Sequence, residues 1–74
     1  MAITRKVFWL GMVPNDCQLT SRPIEDQFVD GRAPNGMWAI MHPDTFKELG
    51  QAPGTGFGQL YQRQSDGRWM KIAG

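Results

Sequence analysis

The chain has 74 residues, with eight basic and seven acidic side chains and a formal net charge of +1. This length predicts a single domain over residues 1–74, and domains below about 70–80 residues commonly need a disulfide, a metal or a partner chain for stability. The single Cys excludes an intramolecular disulfide and favours a reducing compartment, and the interspersed charges exclude the strongly basic surface typical of nucleic-acid binders.

The N-terminal part is predicted to form a first strand or an arm. Residues 3–10 are rich in β-forming and aromatic side chains, and the run ends at Gly11. Phe8 and Trp9 are expected either to fold back onto the rest of the chain or to reach another subunit. The apolar run over residues 7–13 is far shorter than the ~20 residues that cross a bilayer. We therefore expect a soluble, intracellular product with no membrane partner.

Two four-residue turns have the spacing of zinc knuckles, one running from Cys17 to Thr20 and the other from His42 to Thr45. In a zinc ribbon each turn is C-x-x-C and supplies two of the four tetrahedral ligands. His is an acceptable substitute for Cys, whereas the two threonines are not credible zinc ligands. We therefore expect these four degenerate positions to hold no metal, and we expect no other cofactor.

The segment between the two turns is predicted to form two strands. Pro23 disfavours helix at the residue before it, and residues 27–29 read as a short strand that a turn at Asp30-Gly31 closes. Residues 37–41 then return as an almost wholly apolar strand. A run without polar alternation predicts a strand covered on both faces.

The only convincing helical segment covers residues 43–50, with Phe46 and Leu49 on one face and Gly50 as the stop. It is expected to be short and peripheral. A hairpin is predicted around Ser65-Asp66-Gly67, and two registers are open: a two-residue turn pairs Gln64 with Trp69, and a three-residue bulged loop pairs Arg63 with Trp69.

These elements predict a small, mostly-β fold with one short helix, zinc-ribbon-like knuckles and a C-terminal β-hairpin, without metal. Within it we distinguish an N-terminal strand or arm over residues 1–13, a ribbon-like part over 14–50, a Gly-rich linker over 51–58 and the hairpin over 59–74.

Several further segments carry a resemblance to known proteins, namely Arg22-Pro23-Ile24, Phe28-Val29-Asp30-Gly31, Trp38-Ala39-Ile40-Met41, Gly54-Thr55-Gly56, Gly58-Gln59-Leu60-Tyr61 and Asp66-Gly67-Arg68-Trp69. From Cys17 to its C-terminus the chain resembles a family of small bacteriophage and prophage proteins with a CxxC…CxxC zinc ribbon. The family's other cysteines correspond to Thr20, His42 and Thr45 here. The resemblance implies a ribbon-like fold and a phage origin.

Two other patterns have a chemical interpretation as well as a structural one. Cys17 and His42 could hold zinc if Asp16 or Asp44 completed the site, or could act as a nucleophile and its base with Asp44 orienting the His. Gly54-x-Gly56-x-Gly58 invites comparison with phosphate-binding loops, but no Lys-Ser/Thr follows it. We interpret Cys17 and His42 as remnants of an ancestral ribbon and the glycines as a flexible or positive-φ connection.

Most of the aromatic side chains are expected in the core or at a subunit interface, because Trp and Tyr anchor such interfaces. A base-stacking platform is the alternative, but such platforms normally have a basic groove beside them. The interface candidates are Phe8, Trp9, Trp38, Phe57, Tyr61 and Trp69.

We predict that the chain is not an enzyme but a virion structural protein. The specific expectation is a minor capsid decoration or cement protein, made in the host cytoplasm, that binds the major capsid protein, other virion subunits or another copy of itself. A small nucleic-acid-associated accessory or regulatory protein is the alternative function.

Overall fold

A computed structural model describes residues 6–74. It contains one antiparallel sheet of four strands and one short helix, as predicted for the fold class. The elements are β1 (Gln27–Arg32), β2 (Trp38–Met41), α1 (Pro43–Glu48), β3 (Gly58–Arg63) and β4 (Trp69–Ala73). The strands lie in the order β2-β1-β3-β4. The predicted beginning of a first strand at residues 3–5 lies outside the described residues.

One face of the sheet is covered by α1, and we call it the helix face. The ring of Phe46 lies on Gly31 of β1 and Gly58 of β3, which are directly opposite each other. Around it, Val29 and Met41 complete a small buried core. The helix is therefore not peripheral as predicted, because its Phe46 ring fills the centre of the core.

The predicted turn at Asp30-Gly31 is wrong, because both residues lie inside β1 and pair with β2 and β3. The Asp-Gly pattern is misleading here because Gly31 leaves space for the Phe46 ring and does not form a turn. A side chain at this position would collide with the Phe46 ring.

The opposite face carries a cluster of four aromatic rings, and we call it the aromatic face. Phe28 of β1 stacks on its cross-strand neighbour Tyr61 of β3, with ring centroids 5.0 Å apart. Trp9 lies edge-on to both rings at 5.3 and 5.4 Å, and Trp69 of β4 meets Phe28 at 5.1 Å. Phe28 is fully buried as a result.

The free edges of the two outer strands, β4 and β2, each form hydrogen bonds with another segment of the chain. The segment around Phe8 forms a bridge to Met70, with Trp9 N–H donating to the Trp69 carbonyl at 2.8 Å. This segment therefore folds back onto β4 and onto the aromatic cluster. At the other side, Gln18 donates its N–H to the Ile40 carbonyl and accepts from the Ile40 N–H through its side chain. Covered edges are less prone to pair with foreign strands.

The C-terminal hairpin has the register that pairs Arg63 with Trp69, and Gly67 takes the positive φ of a three-residue bulged loop. The helix ends at Glu48, with Leu49 as its C-cap and Gly50 following at a φ of 76°, which agrees with the predicted stop. The prediction that residues 37–41 are covered on both faces is wrong, because Met37 and Trp38 are exposed. These two residues lie beyond the area that α1 and the aromatic cluster cover.

Candidate functional site

The four degenerate knuckle positions meet at one place on the helix face. The Cys17 thiol lies 3.7 Å from Thr45 Oγ1, which in turn lies 3.5 Å from Thr20 Oγ1. His42 joins them through its backbone N–H, which faces the Cys17 sulfur. The structure therefore brings together the positions that the knuckle spacing predicted.

Local backbone geometry shapes each turn. In the first, Ser21 has a φ of 63° and its N–H donates to the Cys17 carbonyl at 2.8 Å. In the second, His42 precedes α1 in an extended conformation, and its Nδ1 accepts a hydrogen bond from the Asp44 N–H at 3.1 Å. Pro43 then begins the helix, a position where its missing N–H carries no cost.

The Cys17 thiol is 2% exposed. Burial alone would raise the pKa of this thiol, but hydrogen bonds from the Thr20 side chain and from the backbone N–H groups of His42, Leu19 and Thr20 lower it to about 7. The turn thus supplies donors that favour a thiolate.

The donors present at this cluster do not fit zinc. A tetrahedral structural site needs four Cys, His or carboxylate ligands, and here two of the four positions carry Thr. Asp44, which could have completed a site, is exposed and pairs with Arg22 at 3.4 Å. Within residues 6–74 no group of three or more His, Cys, Asp and Glu side chains could hold a metal ion.

The nucleophile-and-base interpretation requires the His42 ring to face the thiol. The ring instead accepts from Asp44 N–H, with the Asp44 carboxylate 3.8 Å from Nδ1. It lines an open cavity of about 360 Å³ together with the acidic side chains of Glu25 and Asp26. The backbone of His42, rather than its imidazole, is the part that meets Cys17.

The glycine-rich segment is a closed turn. Gly54 N–H donates to the Gly58 carbonyl, while Phe57 and Gly58 N–H groups both donate to the Gly54 carbonyl. Three backbone donors that a phosphate would need are therefore already used inside the turn.

The six interface candidates separate into two groups. Trp9, Tyr61 and Trp69 belong to the aromatic cluster inside the fold, and the Phe8 ring has the Arg68 guanidinium 4.1 Å above it. Trp38 and Phe57 are exposed. The sequence alone could not separate these groups, because they differ in position on the sheet and not in residue type.

A block of four side chains lies on the aromatic face, beyond the ring cluster. Arg32 of β1 is directly opposite Trp38 of β2, and Asp30 is directly opposite Ile40. Trp38 is 46% exposed and Arg32 is exposed, whereas Asp30 and Ile40 are half-buried. We call these four residues the 30/32 block. Sequence reasoning missed Asp30 and Arg32 because Asp30-Gly31 was interpreted as a turn.

Asp30 is an acidic group in a partly apolar setting. Burial raises the pKa of the Asp30 carboxyl, and burial, with a smaller contribution from the negative charge of Asp30, raises the pKa of Tyr61 on the next strand. No cation within residues 6–74 forms an ion pair with Asp30; the pairs recorded there involve other carboxylates.

Other large apolar side chains also face solvent. They are Val7, Leu10, Met12, Leu19, Met37, Phe57 and Ile72. The two most exposed are Leu10 at 88% and Met12 at 93%. Both follow Trp9, whose contacts with Phe28 and Tyr61 hold the preceding chain against the sheet.

Comparisons with known proteins found no match: no protein-family model, no curated protein and no solved structure is significantly similar to this chain. Among residues 6–74, no helix has the length and apolar character required to cross a membrane.

Proposed function

We propose that this chain is a structural protein of a bacteriophage virion, a minor capsid decoration or cement protein that binds the major capsid protein. It is made in the host cytoplasm and acts by binding, without catalysis and without a cofactor. The resemblance to small phage proteins supports the phage assignment. The exposed apolar segment after Trp9 carries the proposal of a partner.

Leu10 and Met12 support a docking role because they combine large apolar side chains with nearly complete exposure. Contiguous apolar surface on a small domain commonly marks a contact with another protein. The segment is also held in place on one side, since Lys71 N–H donates to the Val7 carbonyl at 2.7 Å and Trp9 N–H donates to Trp69. An anchored segment loses less conformational entropy when it binds.

The proposal is tested by sedimenting the untagged chain with purified capsid shells of the phage that encodes it. The wild-type chain should sediment with the shells and should be found in purified virions by mass spectrometry. Leu10→Asp/Met12→Asp should remove binding, whereas Ser65→Asp, an exposed change at the hairpin tip, should retain it. Virions that contain none of the chain, and shells that do not bind it, would contradict the proposal.

A nucleic-acid-associated accessory role is the second candidate. It is favoured by one observation, the exposed Trp38 beside Arg32 on a sheet face, since a base can stack on an aromatic ring while a cation meets a phosphate. Asp30 on the same face opposes this role because it would repel a phosphate. Binding to single-stranded DNA that weakens steeply with salt would support this candidate over the first.

A further inference from the structure

The 30/32 block is complementary to itself. Asp30 and Arg32 are two residues apart on β1, so they point to the same face and lie about 6.6 Å apart along the strand. Each has an apolar neighbour directly across on β2, Ile40 beside Asp30 and Trp38 beside Arg32. The block therefore has one acidic and apolar half and one basic and apolar half.

We infer that two copies of this chain associate face to face through the 30/32 block, with Arg32 of each copy paired to Asp30 of the partner subunit. The required two-fold axis lies between the two sheets, perpendicular to β1 and midway between Asp30 and Arg32. This rotation exchanges the two halves of the block. It therefore also places Trp38 of each copy over the partner's Ile40.

Charge complementarity argues for a second copy as the occupant. A two-fold contact is isologous, so the same surface on both copies must be complementary to itself. The 30/32 block meets this condition, because the rotation forms two Arg32–Asp30 ion pairs and two Trp38–Ile40 apolar contacts. A partner with only acidic groups would meet Asp30 with repulsion, and a nucleic acid would do the same through its phosphates. A second copy satisfies Asp30 and Arg32 together.

The setting of the block suits an interface. Trp and Arg are enriched at the energetic centres of protein contacts, and Trp38 is held on an ordered strand, which Gln18 binds along its outer edge. Two sheets can pack face to face at about 10 Å, with their side chains interdigitated. This pairing goes beyond the proposed capsid role and does not depend on it.

The test is the oligomeric state of the untagged wild-type chain, measured by sedimentation equilibrium and native mass spectrometry over a range of concentrations. A dimer is expected. Asp30→Arg and Arg32→Asp should each raise the dissociation constant at least about thirtyfold, because each change sets like charges against each other at two symmetric places. Arg63→Asp, the same charge change at an exposed position on β3, should leave the dimer intact.

Mixing the two variants gives the decisive result. An Asp30→Arg chain and an Arg32→Asp chain carry opposite charges at both positions, so together they should form a heterodimer although neither forms a homodimer. If Asp30→Arg fails to fold by circular dichroism, the exposed variants Arg32→Asp and Trp38→Glu replace it, and both should dissociate the dimer.

Three results would overturn the inference. One is a folded wild-type chain that remains monomeric at every concentration. Another is a dimer that survives Arg32→Asp and Trp38→Glu, since it would use a different surface. The last is a monomer that binds a single-stranded DNA oligonucleotide and loses that binding on Arg32→Asp, which would assign the block to nucleic acid.

Discussion

The ring of Phe46 occupies the space where a side chain on Gly31 would lie: a Cβ placed on Gly31 would be 2.6 Å from Phe46 Cε1. Gly58, directly across the sheet, has the same relationship, at 2.7 Å from Phe46 Cζ. The helix can approach the sheet closely because these two positions have no side chains. One buried aromatic ring and two glycines thus define the centre of the fold.

Gly31→Ala should therefore destabilise the protein by about 1–3 kcal/mol, the usual cost of overpacking a well-filled core. Urea unfolding of the two proteins measures the difference. Gly54→Ala is a matched control, because its new Cβ would have only an ordinary contact at 3.8 Å with Phe57. Phe46→Leu should recover part of the stability that Gly31→Ala loses. Equal stability of Gly31→Ala and Gly54→Ala would contradict this account.

The Cys17 thiol should make stability depend on pH. Its pKa is about 7 in the folded protein and about 8.5 in an unfolded chain. Because the folded pKa is the lower one, the contribution is fully present above about pH 8.5 and is lost as the pH falls through 7. The free energy of unfolding should therefore rise by on the order of 2 kcal/mol over this window, relative to Cys17→Ala.

Thiolate absorbance provides a direct measurement of the same pKa. Thr20→Val removes the largest hydrogen-bonding contribution to the thiolate and should raise the pKa of Cys17. Wild-type and Cys17→Ala proteins with parallel pH profiles would show that the thiol does not titrate as the structure requires.

The two threonines of the turns are positioned so that cysteines in their place should bind zinc. Sulfur atoms around a tetrahedral zinc lie about 3.8 Å apart when each bond is about 2.3 Å, and Cys17 Sγ is 3.7 Å from Thr45 Oγ1. Thr20→Cys/Thr45→Cys should therefore bind one zinc per chain under reducing conditions through three thiolates, with water in the fourth position, because the His42 ring is engaged with Asp44. Native mass spectrometry reports the bound metal.

Thr20→Ser/Thr45→Ser is the control, since it alters the same positions without adding thiols and should remain free of zinc. The Cys variant should also unfold at higher denaturant concentration when zinc is added, because metal binding favours the folded state. A Cys variant that binds no zinc would show that the turns lie too far apart in solution.

Trp9 should contribute far more to the free energy of unfolding than the adjacent Leu10. Trp9→Ala removes edge contacts with both Phe28 and Tyr61, and loss of a large packed aromatic costs about 3 kcal/mol or more. Hydrogen exchange at Lys71 N–H should also quicken, because this group donates to the Val7 carbonyl. Leu10→Ala, at a position 88% exposed, should change stability by less than about 0.5 kcal/mol.

Much of the secondary structure could be predicted from local signals. Pro43 and Gly50 bound the helix, and the Asp66-Gly67 loop marks the hairpin, because each of these residues acts on the backbone within a few positions. The knuckle spacing likewise predicted which residues meet at Cys17. The sequence did not determine the register of the hairpin, because the same residues suit both a two-residue and a three-residue turn.

The errors share a physical cause. Asp30-Gly31 has turn chemistry, yet it lies in a central strand because Phe46, far along the chain, needs the space above Gly31. Trp38 reads as a buried residue within an apolar run, yet it is exposed because the aromatic cluster does not extend to that end of the sheet. Neither the packing of Phe46 on Gly31 nor the exposure of Trp38 can be predicted from the residues next to them in the sequence.

The sequence by itself therefore determined the mostly-β class and the short helix, since these depend on residue type and short-range spacing. Only the tertiary structure decided which aromatic side chains are internal, and it alone brought Asp30, Arg32 and Trp38 into one block. These outcomes depend on the strand order and on the pairing of β1 with β2. Such long-range packing depends on contacts between segments that are far apart in the sequence, so no single segment predicts it.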